Sequence, residues 1–220
     1  MRHVIAIALL AKLIAPLAAE QPASQLFNGK DLSGWEHFLV EPGKRLEDVW
    51  SVNGGILVCK GEPHGYLCTK GSFTNFRAVV EWRWAPGTKP GNSGVLLRLP
   101  KEDRMLPKCY EAQLMSGNAG DIVAFHGLTF SGPPADRIKT VAGHKLGGDL
   151  VMAKKIKAAE KEPGEWNRYD IQLKGGELTL SVNGEVVNEA KDLAVMAGRI
   201  ALQSEGGEIH FRKVEITPLD

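Results

Sequence analysis

The 220-residue chain has almost no net charge: 27 Lys and Arg stand against 26 Asp and Glu, a formal +1. It therefore lacks both the basic surface that nucleic acid demands and the acidic bias of a solvating tail. Common catalytic signatures are missing too. There is no glycine-rich phosphate loop, no HExxH helix, no serine nucleophile elbow and no EF-hand loop. The alternation of strands and helices that a dinucleotide fold requires is also absent. Cysteine is scarce. Cys59, Cys68 and Cys109 match neither a zinc knuckle nor a redox CxxC pair. Their odd number leaves at least one thiol unpaired within the chain, and a Cys59–Cys68 disulfide requires their strands to be neighbours.

What is present is a globular composition, 43% hydrophobic and 24% charged, sufficient for one sizeable core. The 25 glycines and 12 prolines follow no period, so they read as tight turns between short elements. Residues 1 to 19, MRHVIAIALLAKLIAPLAA, combine an early Arg2, an apolar run broken by Lys12 and Pro16, and small residues before Glu20. The run is shorter than the roughly 20 residues needed to span a bilayer, so it is expected to be a signal peptide cleaved near Ala19. The expected product is one domain over residues 20–220, periplasmic or extracellular, with no membrane span after processing.

The rest of the chain alternates with a period of two. In FRAVVEWRW, Phe76, Ala78, Val80, Trp82 and Trp84 share one face, and Arg77, Val79, Glu81 and Arg83 share the other. NSGVLLRL places Ser93, Val95, Leu97 and Leu99 opposite Asn92, Gly94, Leu96 and Arg98, while Glu111 and Gln113 share a face of YEAQLM. These three polar-faced strands suggest either a functional concave sheet or the solvated outside of a sandwich. Further on, Gly175-Gly176, Asn183-Gly184 and Gly206-Gly207 mark turns between strands. In the last strand Ile209 and Phe211 fall out of phase with Val214 and Ile216, which predicts a β-bulge near Arg212 and Lys213. Only residues 151–161 are dense in helix formers, and a short helix or a charged loop fits them equally well. The whole pattern predicts an all-β sandwich of two antiparallel sheets.

Function must then come from polar side chains on strands and at their ends. Glu81, Asn92, Arg98, Glu111, Gln113, His126, Trp166, Asn167 and Gln203 form a set suited to sugars. Aromatic rings stack on pyranose faces, while carboxylates, amides and guanidinium groups bond hydroxyls directionally. Glu81 and Glu111 could form the acid and nucleophile of a retaining glycosidase if they face each other across a groove. Alternatively Arg98 holds Glu111 ionised and His126 carries the proton. A carbohydrate-binding module without catalysis would use the same residues.

The motifs LFNGKDLSGWEHF (26–38), EWRW (81–84), NSGVLLR (92–98), YEAQLM (110–115), PGEWN (163–167) and GRIALQSEG (198–206) together resemble the 3-keto-disaccharide hydrolase family. The resemblance implies a concanavalin A-like jelly roll and an exported enzyme that cleaves 3-keto-glycosides, by elimination and hydration in some members. It carries the polar pattern onto Glu81, Asn92, Arg98, Glu111 and Gln113, and the GEWN tryptophan onto Trp166. The chain departs from it at Ser116, where Asp is common, and in the long basic stretch 131–162. Within that chemistry His126 is expected to remove the C2 proton, Arg98 to stabilise the enolate oxygen, and Glu111 to orient a hydroxyl or protonate the leaving group. Asn92, Gln113, Glu81, Trp166 and Gln203 would bind the substrate. No cofactor is indicated, a divalent metal is left open, and the expected partner is a small carbohydrate, with neither nucleic acid nor an obligate protein partner.

Overall fold

A computed structural model describes residues 22–220; the expected signal peptide lies outside them. The strands run β1 Ser24–Gln25, β2 Trp35–Leu39, β3 Trp50–Asn53, β4 Ile56–Cys59, β5 Gly65–Thr69, β6 Phe76–Trp84, β7 Gly94–Leu99 and β8 Tyr110–Gln113. They continue with β9 Ile122–Ala124, β10 Ile138–His144, β11 Gly148–Ala153, β12 Asn167–Lys174, β13 Glu177–Val182, β14 Glu185–Ala190, β15 Arg199–Ser204 and β16 Ile209–Pro218. One four-residue helix, α1, spans Leu46–Val49.

Two eight-stranded antiparallel sheets result. Sheet A has the order β14-β13-β12-β6-β16-β4-β3, with β1 also on β16; sheet B has the order β10-β11-β9-β8-β7-β15-β5-β2. The predicted all-β sandwich is thus the observed fold. Its shared core takes the inward faces of both sheets, including Phe76, Ala78, Val80, Trp82 and Trp84 from β6 and Val95 and Leu97 from β7. The predicted bulge is also present: the β6–β16 register shifts between Phe211 and Lys213, so Phe211 and Val214 both reach the core.

Three local expectations need correction. First, β6 belongs to sheet A whereas β7 and β8 pair in sheet B, so the three polar-faced strands do not form one surface. Second, Leu99 leaves the phase of Val95 and Leu97. Arg98 has φ +56 and occupies a bulge opposite β15, which turns Leu99 to the outer face. Third, residues 151–153 end strand β11, which with β10 forms a hairpin at the edge of sheet B, and only 154–161 form the charged loop that is one of the two expectations. All three cysteines are free and buried. Cys59 and Cys68 lie on β4 and β5, in different sheets, so a disulfide between them is excluded by topology rather than by redox state.

Candidate functional site

The outer face of sheet B carries one transverse row through paired residues of six strands: Cys68, Ala201, Leu96, Glu111, Val123 and Met152. Glu111 is the carboxylate in this otherwise apolar row, and it is only 3% exposed. Its side chain lies across β7 at Gly94, where a methyl group would stand 2.0 Å from Glu111 Oε1. Glycine is needed there for the close approach. That oxygen has no hydrogen-bond partner. Burial, and then the nearby charge of Glu205, push the Glu111 carboxyl well above its ordinary range, which favours its protonated form.

Gln203 sits one step beyond the Leu202–Val95 pair, beside Gly94 and opposite Tyr66. It is fully buried, yet neither Oε1 nor Nε2 has a partner. Asn92 at the entrance to β7 donates from Nδ2 to Glu205 Oε2 at 2.7 Å and leaves its buried Oδ1 unpaired. Glu205 follows β15 two residues after Gln203, which brings it to the same face. Burial raises its carboxyl, opposed by His64 and by the Asn92 hydrogen bond. Three neighbouring side chains with unsatisfied buried atoms are costly to a fold, and such a cluster has the composition of a site awaiting a ligand. It offers a carboxyl whose protonated form is favoured and an amide as donors, two amide oxygens as acceptors, and a second carboxyl group at the half-buried rim.

Other expected site residues lie elsewhere. Arg98 points away from Glu111 and is fully buried. Its guanidinium donates to Thr74 O at 2.8 and 3.2 Å, Gly175 O at 2.7 Å and Ala194 O at 2.5 Å, so it ties three loops together and spends four of its five N–H groups on main-chain carbonyls. Glu81 is on the outside of sheet A, with the whole core between it and Glu111; it pairs with Arg168 at 3.1 Å and Arg212 at 2.6 Å. The retaining pair Glu81–Glu111 is therefore ruled out. Burial pushes Glu81 up, but the two guanidinium groups outweigh it and hold the carboxyl below its usual range. Trp166 precedes β12 on this same outer side of sheet A, with the guanidinium carbons of Arg83 and Arg212 at 4.5 and 4.6 Å from its ring centroid. Its partners are protein cations rather than a sugar face.

His126 is on the sheet B side, with φ +53, and its Nε2 lies 2.7 Å from Leu106 O. That carbonyl can only accept, so Nε2 carries a proton and serves the loop above it. Gln113 shares the face of Glu111, but its Oε1 accepts from the main-chain N–H groups of Leu114 and Met115 at 2.9 and 2.8 Å, shaping the turn after β8. Of the set named from the sequence, the structure brings Glu111, Gln203 and Asn92 together, and it adds Glu205, which the sequence reading did not name. The available signal was the period of two in QSE, which places Gln203 and Glu205 on one side. Among the described residues no group of three or more His, Cys, Asp or Glu side chains is arranged to hold a metal ion.

This is an antiparallel two-sheet sandwich of the jelly-roll class, with an unsatisfied polar cluster on one sheet. Residues 22–217 match the 3-keto-alpha-glucoside-1,2-lyase-like domain, and the chain belongs to that family of carbohydrate-active enzymes. Among solved structures it is similar to a candidate glycosyl hydrolase of Parabacteroides distasonis, at 22% identity and TM-score 0.64, covering 90% of this chain and 94% of that one. It is also similar to the carbohydrate-binding module CBM66 of Bacillus subtilis, at 14% identity and TM-score 0.57 over 83% and 94%. A third is the β-glucanase of Bacillus licheniformis, at 9% identity and TM-score 0.57 over 93% and 100%. At these identities the structures speak for the fold alone. No curated protein is significantly similar in sequence.

Proposed function

We propose that the protein cleaves the glycosidic bond of 3-keto-glycosides by elimination and hydration at the Glu111–Gln203–Glu205 cluster. The observation that carries this reading is the buried, partnerless Oε1 of the Glu111 carboxyl beside the partnerless amide of Gln203. A ketone at C3 acidifies the C2 proton, so no strong nucleophile is required. Glu205, raised by burial but held back by Asn92 and His64, takes that proton. Gln203 Nε2 donates to the oxygen on C3 as it gains charge, in a water-poor setting where a neutral donor is effective. Glu111 gives its proton to the glycosidic oxygen as the C1–O bond breaks, and a C1=C2 double bond forms. Water then adds its hydroxyl to C1 and returns one proton to Glu111, while Glu205 returns the other to C2. Both carboxyl groups end as they began.

His126 and Arg98 have no part in this scheme, because the hydrogen bonds already described occupy them. The test is incubation with a 3-keto-disaccharide and the corresponding ordinary disaccharide, followed by detection of the released sugar. Turnover of the keto compound alone is expected. Equal turnover of both would favour direct displacement at C1 instead, and tight binding without product would make the protein a binding module. We also read residues 1–19 as an export signal, which puts the enzyme where extracellular or periplasmic glycosides reach it; mass measurement of the secreted protein should give a chain beginning at Glu20.

A further inference from the structure

Three loops meet where β15 ends. Gly206 donates its N–H to Gly61 O at 2.8 Å and accepts from the N–H of Asn92 at 2.8 Å. The packing is backbone against backbone: a methyl group on Gly91 would overlap Gly206 O, and one on Gly61 would overlap Gly207 O. One residue before Glu205, the Ser204 hydroxyl donates to Pro63 O at 3.0 Å. Glu205 lies between these two clasped residues, so its main chain is fixed against segment 61–64 on one side and 91–92 on the other.

The clasp with 61–64 fixes His64 as well. His64 precedes the Gly65–Ser204 pair by one residue and Glu205 follows it by one, which makes them cross-strand neighbours in phase with the outward Tyr66. Glu62 Oε1 holds the His64 ring through Nε2 at 3.1 Å. The groups around Glu205 are thus His64 from the segment before β5, the uncharged Asn92 from the entrance to β7, and Glu111 from β8. Those around His64 are Glu62, Glu205 and, on the β2 side, the uncharged Val40, whose N–H donates to His64 O at 3.0 Å. We propose that His64 is a positioning residue that acts through Glu205, standing across the strand pair as the cation that keeps this carboxylate available in acid solution; this rests on the reading of Glu205 as the base. Imidazole gains its charge in mildly acid water, where a carboxyl raised by burial would otherwise take up a proton. Glu111 cannot replace it, because burial favours the neutral form of that carboxyl.

Profiles of kcat/KM against pH on a 3-keto-disaccharide test this with the wild-type protein, His64→Gln and His64→Lys. Glu205 takes the C2 proton only when ionised, so activity falls as pH drops through its titration, and loss of a neighbouring cation moves that fall to higher pH. His64→Gln is expected to raise the acid limb by about one pH unit, the low end for an opposite charge, because the His64 side chain is 41% exposed. It should therefore lose about tenfold more activity near pH 5 than near pH 8. His64→Lys should return the limb to the wild-type position or below it. Carbon NMR of carboxyl-labelled glutamate, with the Glu205 signal assigned by its loss in Glu205→Gln, follows the same titration without turnover; its midpoint should also rise by about one pH unit in His64→Gln. An unmoved midpoint and acid limb, or a loss of equal size at every pH, overturns the role of His64 and leaves the elimination reading intact. Absence of turnover in every protein at every pH overturns the elimination reading and with it the service of His64 to a base, even where the midpoint moves.

Discussion

The outer faces of sheets A and B carry side chains of the same kinds in opposite states. On sheet A, Glu81 lies between Arg168 and Arg212, Arg77 pairs with Asp170, Lys213 lies 3.0 Å from Glu215, and Trp166 is flanked by Arg83 and Arg212. Every charge named there has a protein partner. On sheet B, Glu111 and Gln203 are more deeply buried, and they and the half-buried Asn92 each leave a polar atom unpaired. A row of charged residues therefore says little about function. A satisfied network is finished with respect to ligands, whereas a buried unsatisfied one retains donors and acceptors that only a guest can meet.

Substitution on the sheet B side should have the largest effect. Glu111→Gln keeps shape and neutrality but removes the transferable proton, and kcat/KM should fall by about 100- to 10,000-fold, the range of a lost general acid. The same change should stabilise the protein increasingly as pH rises. The carboxyl is raised in the fold, so the stability it contributes is complete below the ordinary carboxylate range and is lost as pH climbs through the elevated value. Thermal melts of both proteins across that window check the sign; a gap that narrows with pH would mean that Glu111 is ionised in the fold.

Arg98→Leu tests the inward side of the same sheet. It strips donors from the carbonyls of Thr74, Gly175 and Ala194, and should cost about 3 kcal/mol or more in denaturant unfolding, at roughly 1–3 kcal/mol for each orphaned group. Activity per folded molecule should survive. If instead kcat collapsed in a stable protein, Arg98 would have to be restored to the chemistry.

On the sheet A side, Glu81→Gln and Trp166→Ala should each change kcat/KM less than about twofold and stability by less than about 1 kcal/mol, because the Arg168 and Arg212 partners are about half exposed and water screens them. A large loss of sugar cleavage would erase the contrast between the faces. The smallest effect is expected at the thiols. Burial pushes Cys59 up to about 12 and Cys68 up to about 11, and raises Cys109 well above its ordinary value. None should react with a thiol reagent in the native protein, and all three should react after denaturation.

Much of this architecture was legible because it is local. The core face of β6, the turns at Gly175-Gly176 and Asn183-Gly184, and the bulge at Arg212 each follow from a period of two and from turn chemistry within a few residues. The phase of Leu99 was not legible, since a left-handed Arg98 breaks the alternation at a residue with no glycine-like signal. Nor was the fate of Arg98 itself: its carbonyl partners come from positions 74, 175 and 194, far apart in sequence. The candidate site was half legible. Glu111, Gln203 and Asn92 appear in the polar pattern, but the same pattern promoted Glu81 and Trp166, which belong to the other sheet.

The near absence of net charge, the missing catalytic signatures and the short alternating runs determined, before any coordinates, that this is an all-β sandwich whose function rests on scattered polar side chains. The family resemblance came from the motifs themselves, LFNGKDLSGWEHF, NSGVLLR, YEAQLM and GRIALQSEG among them. Which of those side chains share a surface, and which are already spent on one another, was decided only by strand pairing between distant segments. Periodicity is a property of neighbouring residues, whereas burial without a partner is a property of everything packed around them.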